Sequence, residues 1–151
     1  MEASVSASAR LDEVVVALPQ RAETLMRLFF SRSRSGVSRP EASILWLLLQ
    51  GPFRITEIAN RLGRTQPGVT LVVNRMSARG WVERVADAND GRVVIVALKD
   101  EGREALESLY AEYYDILGEG IALLDDRETA SLVGAVEILD RLIETVAART
   151  P

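Results

Sequence analysis

The sequence predicts a mainly α-helical fold with a small β-hairpin, and three observations lead to it. Apolar residues recur at helical spacing through the first third of the chain and again through the last third. Between these regions, two short helical segments are separated by a glycine. Two short β-branched segments then flank an Asp-Gly turn. The 151 residues suffice for one core, so we expect a single domain over residues 1–151.

The N-terminal helical pattern has two features that could interrupt it. Pro19 lies inside the apolar repeat, so either a kink or two short helices are expected there. Residues Met1 to Arg10 lack the basic start and apolar run of a signal peptide, and we expect a frayed arm.

No apolar run is long enough to cross a membrane, and the expected compartment is the cytoplasm. A polar connection, Ser31 to Gly36, ends this region.

Capping residues indicate where the middle helices begin and end. Ser38 and Glu41 have the spacing of a capping box, for a helix that runs to Gln50. Shorter helices are expected over 55–62 and 66–79. Thr65 is a suitable N-cap for the second of these, and Gly80 a suitable end.

The spacing of Ala59, Gly63 and Val69 indicates a helix-turn-helix. Such a unit needs a small residue where the helices cross, a glycine in the turn and an apolar residue that packs back. The alternative is an ordinary hairpin of two helices. Further apolar residues that would pack between the two helices are Ile58, Leu62 and Val72.

The predicted β-hairpin favours a winged helix-turn-helix over residues 38–98. Its strands are expected at 81–85 and 92–98, around the turn Asp87 to Gly91. In this layout the second helix enters a major groove of DNA, and the hairpin reaches a minor groove or the phosphates.

The C-terminal third predicts two long helices. The first starts at Asp100 and could bend at Gly118 and Gly120, and the second is capped by Asp125 or Asp126.

Composition excludes several classes of function. The chain has no cysteine and no histidine, so disulfide scaffolds, zinc fingers and thiol sensors are excluded, and the commonest general base is absent. We therefore predict no enzyme activity, no metal and no cofactor. The net charge is −4, but residues 54–99 carry +4 and residues 100–151 carry −9. A basic middle region suits a polyanionic partner despite the acidic total.

Six short sequence segments between Ile58 and Arg103 resemble the MarR family of bacterial regulators, and they occur in the family's order and spacing. They are Ile58 to Gly63, Thr65 to Thr70, Val73 to Met76, Arg79 to Arg84, Asp87 to Arg92 and Leu98 to Arg103. The resemblance extends more weakly from about Leu25 to Ala147. It implies a homodimer held by helices in residues 1–34 and 100–151, whose two winged helices bind one pseudo-palindromic duplex.

The resemblance also implies DNA-contacting residues. Gln66 is the candidate base reader, because an amide can form two hydrogen bonds with adenine. Thr65 and Thr70 suit phosphate contacts. Arg92 matches a wing arginine expected in the minor groove, and Asp90 matches the acid that orients it. The remaining candidates are Arg64, Gly68, Leu71, Asn74, Arg75 and Arg84, with further possible phosphate contacts at Arg54 and Arg61.

Five residues depart from the family pattern. Arg54 replaces a capping Thr or Ser, and Lys99 replaces a Thr at the start of the long helix. Arg64, Gly68 and Asn74 replace an apolar residue, a Ser or Thr, and an Asp. The last three lie on or beside the side of the second helix that is expected to contact bases. We therefore expect the target DNA sequence to differ from the target sequences of relatives.

The resemblance further implies a repressor that a small aromatic or phenolic ligand releases from DNA. Aromatic residues that could line a ligand cleft are Phe29, Phe30, Trp46, Tyr110, Tyr113 and Tyr114. The alternative for these side chains is the core or a subunit interface. The alternative for the whole chain is a winged helix used only for protein–protein contact.

Overall fold

The computed structural model describes residues 2–86 and 93–149, with side chains from residue 12 onward. Its elements, in chain order, are α1 (Glu2–Arg32), α2 (Arg39–Leu48), β1 (Phe53–Arg54), α3 (Ile55–Arg61), α4 (Gln66–Ala78), β2 (Val82–Ala86), β3 (Val94–Leu98), α5 (Asp100–Ile121) and α6 (Asp126–Ala147). The predicted mainly α fold with a small β-wing is confirmed.

For the N-terminal region, the expectation of a frayed arm was wrong, and so was one of the two alternatives for Pro19, a division into two short helices. Helix α1 begins at Glu2, so residues 2–10 are helical and not a frayed arm, consistent with the high helix propensity of their alanines. Pro19 lies inside this one helix and does not divide it into two.

The middle helices start where the capping residues indicated. The Ser38 backbone N–H donates to Glu41 Oε2 at 2.8 Å, and the Glu57 carboxylate accepts from the Arg54 N–H in the same way at the start of α3. Thr65 Oγ1 accepts from the Gly68 N–H, and Pro67 lies in the first turn of α4. Helix α2 ends two residues earlier than predicted, within the usual variation of helix ends.

The sheet is antiparallel, with β3 between β1 and β2. Val82 pairs with Leu98 and Ala86 with Val94, which confirms the predicted hairpin strands within about two residues. The predicted turn, Asp87 to Gly91, lies outside the described residues. Strand β1 was not predicted, because two residues are too short to show a strand period.

The chain divides into two compact units, residues 1–112 and residues 113–151. The core of the first unit is formed by α2, α3, α4, the sheet and the first turns of α5. Its fully buried large side chains are Ile44, Leu45, Ile58, Val69, Val73, Met76, Val96, Leu106 and Leu109. The second unit contains the end of α5 and all of α6, and no side chain of α6 is buried.

Helix α5 runs unbroken through Gly118 and Gly120, and Asp125 caps α6 by accepting from the Glu128 N–H at 2.7 Å. Within the described residues, no helix is sufficiently long and apolar to cross a membrane.

Candidate nucleic-acid interface

Helices α3 and α4 form the predicted helix-turn-helix. Gly63, in the turn, has a φ of +59°, a backbone conformation that residues other than glycine rarely adopt. The Arg64 N–H donates to the Ala59 carbonyl at 2.8 Å and closes the turn. Ala59 and Val69 are buried, as their spacing required. The prediction of a tight turn between these helices is confirmed.

The first turn of α4 presents the candidate reader Gln66. Gln66 is exposed, and Thr65 caps the helix directly before it. The Thr65 oxygen accepts a hydrogen bond within the cap, so its proton stays free to donate to a phosphate. The Thr70 hydroxyl instead donates to the Gln66 carbonyl at 2.9 Å. Its single proton is therefore used inside the helix.

One exposed face runs along α4. Successive helical residues are separated by about 100°, so the face centres on Leu71. Val69, Val72, Val73 and Met76 lie on the opposite side and are buried. The other exposed members of the face are Pro67, Gly68, Asn74, Arg75 and Ala78.

Asn74 and Arg84 bind each other. Arg84 Nη2, on β2, donates to the Asn74 side-chain oxygen on α4 at 2.6 Å, and both residues are exposed. The two sequence-predicted residues thus act as a pair, in which Asn74 holds Arg84 beside the exposed face of α4.

The other candidate cations differ in their surroundings. Arg64 is exposed at the turn, which supports the interpretation that it faces away from the core. The Arg61 guanidinium lies 4.5 Å from the centre of the Phe53 ring, a cation–π contact. Arg92 and Asp90, the predicted wing residues, lie outside the described residues.

Arg79, which the sequence did not single out, anchors the C-terminal end of α4. Its Nη1 donates to the Gly36 carbonyl at 2.8 Å and lies 3.8 Å from a carboxylate oxygen of Glu41. Its guanidinium also stacks on the Trp81 ring, 3.5 Å from the centre. Glu41 is only 5% exposed, so the arginine partly compensates the cost of burying this carboxylate.

Glu112, on α5, binds the connection between α1 and α2, which also contains Gly36, the residue bound by Arg79. Its carboxylate accepts from the Ser33 hydroxyl at 2.5 Å and from the Arg34 backbone N–H at 2.6 Å. Burial raises the pKa of the Glu112 carboxyl. Hydrogen bonds from Ser33, from the Arg34 backbone and from Ser35 outweigh burial and hold this pKa below its ordinary value. Residues 33–36 are therefore held by α5 on one side and by the end of α4 on the other.

The predicted ligand-lining aromatics differ in burial. Phe29 is buried, Phe30, Trp46 and Tyr113 are half-buried, and Tyr110 and Tyr114 are exposed. Tyr110 borders a cavity of about 140 Å³ between the end of α2 and α5. The other lining residues of this cavity are Leu49, Arg103, Leu106 and Glu107. Over residues 2–86 and 93–149, no cluster of three acidic side chains is arranged to hold a metal ion.

Comparison with known proteins gives consistent results. The sequence pattern of the MarR family matches residues 35–93. The HTH-type transcriptional regulator YfiV of Bacillus subtilis is 27% identical over 109 residues, which are 72% of this chain and 68% of that protein. The HTH-type transcriptional repressor MdtR of the same bacterium is 28% identical over 115 residues, 71% of this chain and 74% of that protein.

A solved structure extends the match to the fold. The transcriptional regulator BldR from Sulfolobus solfataricus superposes with a TM-score of 0.65 at 26% identity, covering 85% of this chain and 94% of that one.

The fold and these relatives define the class: a winged helix-turn-helix transcriptional regulator that binds DNA. The resemblance to the MarR family that the sequence motifs predicted is confirmed over residues 35–93. These relatives are named as transcriptional regulators, in agreement with the prediction of a non-enzymatic regulator.

Proposed function

We propose that the protein is a homodimeric repressor that binds a pseudo-palindromic duplex in a sequence-specific way. The observation that carries this proposal is the exposed face of α4, presented by a tight turn and bordered by Arg64, Arg75 and Arg84. Each protomer places α4 in one major groove, and the two grooves lie about 34–36 Å apart on one side of the duplex.

The contacting residues have separate roles in this proposal. Gln66 reads a base edge at the start of α4. Thr65, Arg64 and Arg75 contact phosphates and set the register of the helix on the duplex. Arg84, held by Asn74, contacts the backbone beside the same groove. The wing residues Asp90 and Arg92 reach the adjacent minor groove.

Exposed apolar side chains support the homodimer. Contiguous apolar surface on a small protein usually marks an interface. Each of the two terminal helices, α1 and α6, carries several exposed apolar side chains, which agrees with dimerisation through residues 1–34 and 100–151. The exposed apolar residues are Val14, Val15, Val16, Leu25 and Leu28 on α1, and Leu132, Val133, Val136, Ile138, Leu142, Ile143 and Val146 on α6.

Repression is supported by MdtR, which is named a repressor. A dimer that covers two turns of a promoter excludes polymerase from the same DNA, in the cytoplasm of a bacterial cell.

The cavity beside Tyr110 supports release by a small ligand with a single aromatic ring. Cavities near 150 Å³ hold benzene, whereas drug-sized ligands need about 300 Å³ or more. Arg103 at the rim supplies a charge for a carboxylate. Such a ligand releases the protein only if it binds the DNA-incompetent arrangement more tightly. A coupling of about 1–3 kcal/mol corresponds to a 5- to 150-fold change in DNA affinity.

An unbiased selection from random duplexes, with and without a panel of aromatic acids, tests the proposal. We expect two related half-sites whose centres are about 10 base pairs apart, and lower recovery with at least one acid. Recovery of no common sequence would contradict sequence-specific binding and favour a module for protein–protein contact. Arg103→Ala should abolish the effect of the acid without changing the selected sequence.

A further inference from the structure

The centre of the exposed face of α4 is an apolar side chain. Leu71 is 62% exposed, and it is the exposed large apolar residue of this helix, all of which is described. On a helical projection it lies about 40° from Pro67 and Arg75, and about 60° from Gly68 and Asn74. The polar groups therefore lie at the edges of the face, and the leucine lies in its middle.

The neighbours of Leu71 leave its side chain accessible. Helical side chains lean towards the N-terminus, over the residues three and four positions earlier. For Leu71 these are Gly68, which has no side chain, and Pro67, which is compact. The nearest atom to a Cβ at Gly68 would be Thr65 Oγ1, at 3.1 Å. The absence of a side chain at Gly68 thus removes one polar contact and clears the surface that Leu71 covers.

The surrounding polar groups are placed to hold the DNA backbone. Asn74 binds Arg84, and Arg75 is exposed one turn beyond Leu71. Cations at the edges of the face fix α4 relative to the phosphates, and the middle of the face then meets base edges. In the major groove, the apolar group on a base edge is the 5-methyl of thymine.

We propose that Leu71 is a specificity-determining residue that contacts the 5-methyl group of one thymine in each half-site. The inference rests on the proposed function, since it assumes that α4 enters the major groove. The contact between Leu71 and the methyl group adds a base preference that the hydrogen-bonding residues of α4 do not supply. We therefore expect adenine–thymine pairs opposite the middle of α4.

The test replaces each thymine of the selected duplex, one at a time, by deoxyuridine, which lacks only the methyl group. With the wild-type protein, we expect one position per half-site at which uracil raises Kd about fourfold, the effect of one buried methyl group. Uracil at this position in both half-sites should raise Kd about 15-fold, since the two contacts are separate and equal. Fluorescence anisotropy measures these Kd values.

Leu71→Ala supplies the decisive comparison. The substitution is at an exposed helical position and favours the helix, so the fold is retained and circular dichroism verifies this. We expect Leu71→Ala to bind the thymine duplex at least about fourfold more weakly. It should also show no difference between thymine and uracil at the sensitive position. Leu71→Met should restore part of the difference.

Gln50→Ala is the control, because Gln50 is exposed after the end of α2 and belongs to neither α4 nor the cavity beside Tyr110. It should keep the wild-type response to uracil. If the wild type binds its duplex but ignores every uracil, or if Leu71→Ala keeps the wild-type response, the inference is wrong while the proposed function stands. If the wild type binds no duplex specifically, both are wrong.

Discussion

At the scale of single residues, Gly102 decides how closely α5 approaches Trp81, between α4 and β2, and Leu98 on β3. A Cβ at Gly102 would lie 2.3 Å from the Trp81 carbonyl oxygen and 2.7 Å from Leu98 Cδ1. The same carbonyl accepts from the Lys99 N–H at 3.0 Å. The start of α5 is therefore joined to Trp81, which lies between α4 and β2.

Gly102→Ala should lower the free energy of unfolding by about 2 kcal/mol, because a backbone carbonyl cannot move aside as a side chain can. Urea unfolding followed by circular dichroism measures this. Gly118→Ala, in the same helix, meets nothing within 4 Å and should stabilise by up to about 1 kcal/mol. Equal effects of the two substitutions on the free energy of unfolding would contradict the close approach of Gly102 to the Trp81 carbonyl.

Residues with local partners could be predicted from sequence, and residues with distant partners could not. Ser38 and Thr65 cap helices through groups three residues away, so spacing identifies them, and for the last helix it narrows the cap to Asp125 or Asp126. Arg79 binds a carbonyl 43 residues earlier, and Glu112 binds a serine 79 residues earlier. No periodicity or motif relates such pairs, so their roles become visible only in the folded chain.

At the scale of elements, the connection between α1 and α2 links α5 to the C-terminal end of α4. Glu112 holds Ser33 and Arg34, and Arg79 holds Gly36. Arg79 also stacks on Trp81, directly before β2. Because both anchors are polar and specific, the end of α4 and residues 33–36 should move together.

Arg79→Lys should loosen the end of α4 although it keeps the charge, since an ammonium cannot reproduce the planar guanidinium contacts. Hydrogen exchange at the Gly80 and Trp81 amides, which donate to α4 carbonyls, should become at least about fivefold faster. Arg27→Lys, at an exposed position of α1, is the control. Unchanged exchange in Arg79→Lys would contradict the anchoring role.

The Glu112 contact should depend on pH. Its pKa in the folded protein is below the ordinary value of 4.5, so its stabilising contribution is present above about pH 4.5. It is lost as the pH falls through the lowered pKa. Glu112→Gln should cost about 1 kcal/mol at pH 7, because the site is half-exposed, and the difference from wild type should shrink in acid.

Urea unfolding at pH 7 and at pH 3.5 measures that difference. Glu104→Gln, exposed on the same helix, should show no such change. A difference between wild type and Glu112→Gln that stays constant with pH would contradict the role of the ionised carboxylate.

At the scale of the whole molecule, the element order was predictable from periodicity, but periodicity did not show which apolar faces are buried within one chain. Periodicity, capping residues and turn residues indicated the helices and hairpin strands of the described residues, except that the first helix could have been two short ones. The apolar residues of α6 look like core residues in sequence, yet none is buried in the single chain. Sequence periodicity does not distinguish a core from a subunit interface.

Ile143→Glu should therefore convert the dimer to a monomer. Ile143 is 62% exposed on α6, and a charge there would be buried on association. Sedimentation velocity should show half the mass, and affinity for the duplex should fall at least about 100-fold, because the second half-site is no longer bound by a linked copy. Glu137→Gln on the same helix is the control. A monomeric wild type would contradict the proposed dimer.

The charge distribution is the most general support for DNA binding: a net −4 chain whose residues 54–99 carry +4. The most direct test is the salt dependence of Kd for the selected duplex, from about 50 to 200 mM. Each neutralised phosphate contributes a log–log slope of about −0.9 to the association constant. We expect a steep slope that Arg75→Gln makes shallower by about 1.8, one phosphate in each protomer. A flat response would contradict the proposal that this basic surface binds DNA.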